Sequence, residues 1–305
     1  MKGYILPILT PFNRDGGIDE QAMRTNLSYL IEEGIHGITI SGSFGEFPLL
    51  SFEERVRLFE IAVDESAGRC PIIAGTAYAS TDDTIRLCLA AEKTGVDALM
   101  IIAPYYLRPS SRDMRNHFEL IDKKVSLPIT IYNNPPRTAV NMSTELLVEL
   151  SKLEHVTSIK QSTESFFDLL ELIRLTKGEP NFHVTNGQEH WAFPGLIMGA
   201  QGCYGVTPLV LGKECIAMYD CSQTGDLERG REIQMRVNIL RTAMKKCECT
   251  AAAAVREMVR LRGLAAGYSR APIADPSDAD KRILREAAAA MGMKPLTRAV
   301  QGAVA

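Results

Sequence analysis

The sequence predicts an α/β fold, a (β/α)₈ TIM barrel followed by a C-terminal helical extension. Three observations carry this. Eight short β-branched runs alternate with amphipathic stretches at a spacing of roughly 25 to 30 residues. The chain of 305 residues is 46% hydrophobic, enough for a large core. After about Pro208 the strand-like runs stop and only helical patterns continue.

The strand-like runs cover residues 4–9, 37–41, 71–75, 98–102, 128–132, 156–160, 183–185 and 202–204. The first helical stretch, 19–33, follows a Gly-Gly pair. The second, 51–65, opens with Ser51 three residues before Glu54, a capping-box spacing. Further helices are expected over 81–94, 111–123, 144–151, 164–176 and 190–198. Beyond the eighth run the helical patterns are 215–221, 226–246, 251–264 and 276–291. We therefore divide the chain into a barrel, residues 1–224, and a helical domain, residues 225–305. A doubly wound sheet would place a glycine-rich dinucleotide turn after the first strand. The segment "TPFNRDGG" does not match one.

Charge and cysteine content exclude several classes of function. Lys plus Arg number 34 and Asp plus Glu 37, a net charge of −3, so no basic field attracts nucleic acid or anionic lipid. The N-terminal apolar run is broken by Pro7 and Pro11 and lacks the features of a signal peptide, so a cytoplasmic location is expected. Seven cysteines, an odd number, point to reduced thiols. Cys247 and Cys249 stand two apart, the wrong spacing for a zinc knuckle or a redox pair, and read as thiols in or beside a helix. The five histidines form no HExxH motif, and neither a metal nor a cofactor is expected.

In such a barrel the chemistry sits at the C-terminal ends of the strands. The second run ends in Ser41-Gly42-Ser43-Phe44-Gly45-Glu46 and the fourth in Tyr105-Tyr106. The fifth ends in Tyr132 with Arg137 beyond it, the sixth in Lys160 and the seventh in Gly187. Lysine is unusual on a buried strand, because desolvation disfavours its ammonium. The neutral amine that burial favours is the nucleophile that forms a Schiff base with a ketone. The alternative is a lysine reaching solvent at the strand exit. Tyr132 is either a proton shuttle beside that amine or an aromatic packed on the rim. Arg137 is either a bidentate carboxylate ligand or a solvated surface residue. The N–H groups around Gly42 and Ser43 either cradle a carboxylate or make a plain tight turn. Glu46 reads as a structural carboxylate. On one rim, an amine, a phenol, a guanidinium and a hydroxyl suggest 2-oxo-acid chemistry.

These residues fall in "LTPF" (9–12), "GSFGE" (42–46), "PYY" (104–106), "YNNPPRT" (132–138) and "IK" (159–160). In that order and spacing the chain resembles the dihydrodipicolinate synthase / N-acetylneuraminate lyase superfamily over essentially its whole length. The resemblance implies a class I lyase that joins pyruvate or a related 2-oxo acid to an aldehyde, or runs the aldol cleavage backwards. Lys160 would form the imine and Tyr132 would be the general acid/base. Ser43 would link Tyr132 to Tyr106, the latter reached across a subunit interface. Gly42, Phe44, Arg137, Gly187 and Tyr204 would line the substrate site. A homotetramer, built as a dimer of dimers, is implied as well.

Tyr106 and Arg137 make the motif set most like 4-hydroxy-tetrahydrodipicolinate synthase. Three departures favour an alternative within the superfamily, a catabolic aldolase or dehydratase for a sugar-derived 2-keto-3-deoxy acid. Phe44 stands where a threonine is usual, Ala139 where glycine is usual and Tyr204 where a small aliphatic is common. Phe47, Pro48 and Phe52 replace polar residues of a lysine-inhibition site, so feedback by lysine is not expected. A non-catalytic metabolite-binding barrel is the remaining reading.

Overall fold

The computed structural model describes residues 1–296. Eight parallel strands close a barrel in chain order: β1 (Gly3–Pro7), β2 (Gly37–Ile40), β3 (Ile72–Gly75), β4 (Ala98–Ile102), β5 (Ile129–Asn133), β6 (Val156–Gln161), β7 (His183–Asn186) and β8 (Gly202–Tyr204). β1 pairs with both β2 and β8, which completes the ring. Nearly every strand residue is buried, because helices cover the outside of a parallel barrel and side chains fill its inside.

Helices return the chain between strands at Glu20–Glu32, Phe52–Ser66, Thr81–Thr94, Ser111–Asp122, Thr144–Leu150, Phe166–Leu175 and Ala192–Ile197. The expected capping box is present: Ser51 Oγ accepts from the Glu54 N–H, and Glu54 accepts from the Ser51 N–H. After β8 come Lys213–Thr224, Leu227–Lys246, Ala251–Arg262 and Asp278–Ala290. No helix among the described residues is long and apolar enough to cross a membrane.

Three differences from the sequence reading have local causes. The stretch 190–198 is not one helix. A 3₁₀ turn, Glu189–Trp191, precedes Ala192–Ile197, and the Trp191 backbone at φ −133° separates them. Short helices at Pro135–Thr138 and Pro208–Leu211 were unexpected. Each begins with proline, whose fixed φ breaks a helix interior but suits its first turn. The first strand ends at Pro7, two residues early.

Register sets the site. Thr130 lies opposite Ser158, and Tyr132 opposite Lys160. In a parallel pair, register partners face the same side, and residues two apart share that side. The Thr130 and Ser158 hydroxyls meet at 2.6 Å inside the barrel. Tyr132 and Lys160 therefore occupy the next level up, at the C-terminal mouth.

Candidate active site

Lys160 is 4% exposed, so it does not reach solvent at the strand exit. Its Nζ lies 4.0 Å from the centre of the Tyr132 ring and 4.5 Å from that of Tyr204. Burial pushes its ammonium below the ordinary lysine value of 10.5, although Tyr132 and Glu189 pull the other way. Burial pushes the Tyr132 phenol up, but the Lys160 ammonium, the Asn134 amide, Arg137 and Ser43 together hold it below its ordinary 10.0. Tyr204 lies deeper. Burial raises its phenol, which remains neutral at any physiological pH.

The loop after β2 bends sharply, with Ser41 and Glu46 both in the left-handed region at φ 56° and 57°. The backbone N–H groups of Ser43 and Phe44 donate to no atom of the described residues. Ser43 Oγ is buried near the Tyr132 phenol without a well-aligned hydrogen bond, and Ser162 Oγ is buried without a partner among the described residues. Buried hydroxyls ordinarily find partners, so this concentration marks a place prepared for a polar ligand. Phe44 is half-buried and packs against the core.

Gly187 has a steric requirement. A Cβ there would lie 1.9 Å from Ser162 Oγ and 3.0 Å from Lys160 Cγ. Only glycine lets β7 turn this close to the lysine stem. Gly42 is buried in the β2 loop. Arg137 is exposed and lines a pocket of about 140 Å³ with Ser43, Phe47, Pro48, Tyr105 and Thr138. Tyr106 is 91% exposed with φ 73°. Within one chain it does not join the Lys160–Tyr132 group, whereas Ser43, Arg137, Gly187 and Tyr204 surround that group.

Four residues not singled out in the sequence hold the site together. Asn134 Nδ2 donates to Tyr132 Oη at 2.6 Å. Glu189, 4% exposed, accepts from Tyr4 Oη and the Thr207 N–H, both at 2.8 Å. Arg55 is buried beneath the β2 loop. It donates to Ser41 Oγ (2.9 Å), Ala77 O (3.0 Å) and Gly75 O (2.6 Å). Arg256, from the C-terminal helix Ala251–Arg262, pairs with Glu46 at 2.5 Å and donates to Thr10 O. A signal for Arg55 existed: it shares a helix face with Leu58, Phe59 and Ala62, all fully buried.

Among the described residues, one group could converge on a metal: Cys247, Cys249 and Asp280 of the C-terminal helices. Both Asp280 carboxylate oxygens already accept, from the Glu248 N–H and from Ser277, in a helix cap.

The sequence model of the dihydrodipicolinate synthetase family matches residues 1–291. The chain belongs to the dihydrodipicolinate synthetase family. It is 31% identical to 4-hydroxy-tetrahydrodipicolinate synthase of Methanospirillum hungatei, over 93% of this chain and 97% of that protein. Identity to the same-named enzyme of Rhodospirillum centenum is 34%, over 96% and 99%. Dihydrodipicolinate synthase from Aquifex aeolicus superposes with a TM-score of 0.91 at 29% identity, covering 98% of this chain and 100% of that one. A monomeric dihydrodipicolinate synthase variant superposes equally well, at 26% identity over 96% and 98%. As a member of the dihydrodipicolinate synthetase family, the protein is a Schiff-base lyase of the aldolase type, using pyruvate and an aldehyde-type substrate.

Proposed function

We propose that this lyase condenses pyruvate with an aldehyde in the manner of 4-hydroxy-tetrahydrodipicolinate synthase, with Lys160 as the imine-forming residue. The observation that carries this reading is an amine 4% exposed with its Nζ 4.0 Å from the Tyr132 ring. The neutral amine attacks the pyruvate carbonyl carbon, and the carbinolamine loses water to give the imine. Tyr132 takes a proton from the adjacent methyl carbon to give the enamine. The enamine carbon then bonds to the aldehyde carbon, the aldehyde oxygen takes the proton held by Tyr132, and water hydrolyses the resulting imine to free Lys160.

The free N–H groups of Ser43 and Phe44 support binding of the pyruvate carboxylate at the β2 loop, with Gly42 giving close approach and Gly187 leaving room beside the lysine. Ser43 passes protons between Tyr132 and Tyr106 of a neighbouring copy. The exposure of Tyr106 supports that arrangement and, with it, a homotetramer. Arg137, at the pocket mouth, takes a carboxylate of the second substrate. The cysteine count supports work in the cytoplasm.

Incubation with pyruvate and borohydride, followed by peptide mass spectrometry, tests the chemistry. An adduct on Lys160 is expected, and its absence with every 2-oxo acid tried sinks the proposal. Only the neutral amine attacks, so the trapping rate rises with pH. It levels off below 10.5, the ordinary lysine value, because burial depresses this amine. Phe44 and Tyr204 narrow the site and favour a second reading, cleavage of a sugar-derived 2-keto-3-deoxy acid. Steady-state turnover of aspartate semialdehyde against a panel of such acids separates the two.

A further inference from the structure

We infer that Asn134 is a positioning residue for the proton-transferring phenol: its side-chain amide donates to Tyr132 Oη and so directs the phenol's own proton toward the amine and substrate. The inference rests on the reading of Tyr132 as general acid/base.

The two asparagines after Tyr132 divide the work. Asn133 is a scaffold. Its Nδ2 donates to Asn141 Oδ1, Met142 O and Gln161 Oε1, and its Oδ1 accepts from the Met142 N–H. The Asn134 side chain is buried and makes one hydrogen bond, 2.6 Å to the phenol. It caps nothing. The following turn is held by the Asn134 backbone carbonyl, which accepts from Arg137 N (3.0 Å), Thr138 N (3.1 Å) and Thr138 Oγ1 (3.1 Å). Its backbone, φ −141° and ψ 78°, asks nothing of the side chain. Asn134 can therefore change without loss of the turn.

An amide N–H only donates. With that bond made, the phenol hydrogen points elsewhere, to Ser43 Oγ, neutral Lys160 or bound substrate. When Tyr132 gives up its proton, the same N–H stabilises the phenolate, and a hydrogen bond to a charged oxygen is stronger than one to a neutral oxygen. The other titratable groups facing the phenol are Lys160 from β6, Tyr204 from β8 and Arg137 from the adjoining loop.

The test compares Asn134→Leu, Asn134→Asp and Tyr132→Phe by steady-state kinetics across pH, with ultraviolet difference titration of the phenolate. Asn134→Leu is expected to lower kcat about 10- to 100-fold, with KM for pyruvate within about three-fold. The acid limb of kcat and the phenolate titration both move to higher pH, since the base form has lost its donor. Asn134→Asp is isosteric and reports even where leucine disturbs packing. Its carboxylate repels the phenolate, so both limbs move at least as far. A fall in kcat with neither limb moved means a merely structural role and overturns the inference. If Tyr132→Phe is crippled while both Asn134 variants match the parent, the inference fails and the reading of Tyr132 stands. If Tyr132→Phe is fully active, both fall.

Discussion

The mouth of the barrel has a dry inner ring and a wet outer ring. Lys160, Tyr132 and Tyr204 are each at most 5% exposed, and strand register fixes their spacing. Arg137 and Tyr106 are exposed, one on the short helix Pro135–Thr138 and the other a left-handed loop residue. On the proposed reading the inner ring carries the imine chemistry, and one chain supplies all three of its residues. On the same reading the outer ring would meet the second substrate and any neighbouring copy, so it is where relatives with the same chemistry can diverge.

Changes to the inner ring should abolish turnover, and changes to the outer ring should redistribute it. Lys160→Ala is the largest expected effect, a loss of turnover on the order of 10⁴-fold or more with borohydride trapping gone. Residual trapping on another lysine would break the comparison. Arg256→Met comes next and acts on stability, by about 3–5 kcal/mol in urea unfolding, because Glu46 is left buried and unpaired. Burial already raises the Glu46 carboxyl above its ordinary 4.5. The unpaired carboxyl takes up a proton as pH falls, so the penalty should shrink towards pH 4.5. Arg137→Met should raise KM for the second substrate about 10- to 100-fold and leave the pyruvate trap intact, the pattern of a lost charged contact. Phe44→Thr is the smallest, a change of about 2- to 10-fold in KM for pyruvate, the scale of one neutral hydrogen bond. No change would mean that Phe44 only packs.

What could be read from sequence follows from the range of the forces involved. The barrel was legible because each strand and helix has its own local period, and eight repeats leave few ways to close. Lys160 was legible because lysine is unusual at the end of a strand-like run that a barrel would bury. Whether it was buried was not, since that depends on Tyr204 and the ring closing around it. Tyr4 and Glu189 are 185 residues apart, and Glu46 and Arg256 are 210 apart. No local pattern pairs them, and each reads alone as an ordinary polar residue. Asn134 stood in plain view in "YNNPPRT", yet only the folded side chains distinguish it from Asn133. The four-residue helices Pro135–Thr138 and Pro208–Leu211 were not legible, being too short to show an apolar period.

The pairing of Glu46 with Arg256 bears on how far this enzyme could be pared down. Arg256 comes from a helix beyond the eighth strand, yet it fastens the loop that carries Ser43 and, through Thr10, the loop after β1. A gene cut after the barrel would keep every strand but leave a buried acid open beneath the turn that carries Ser43. A minimal version of this catalyst therefore has to carry the helix Ala251–Arg262, or remove Glu46 and refill its place.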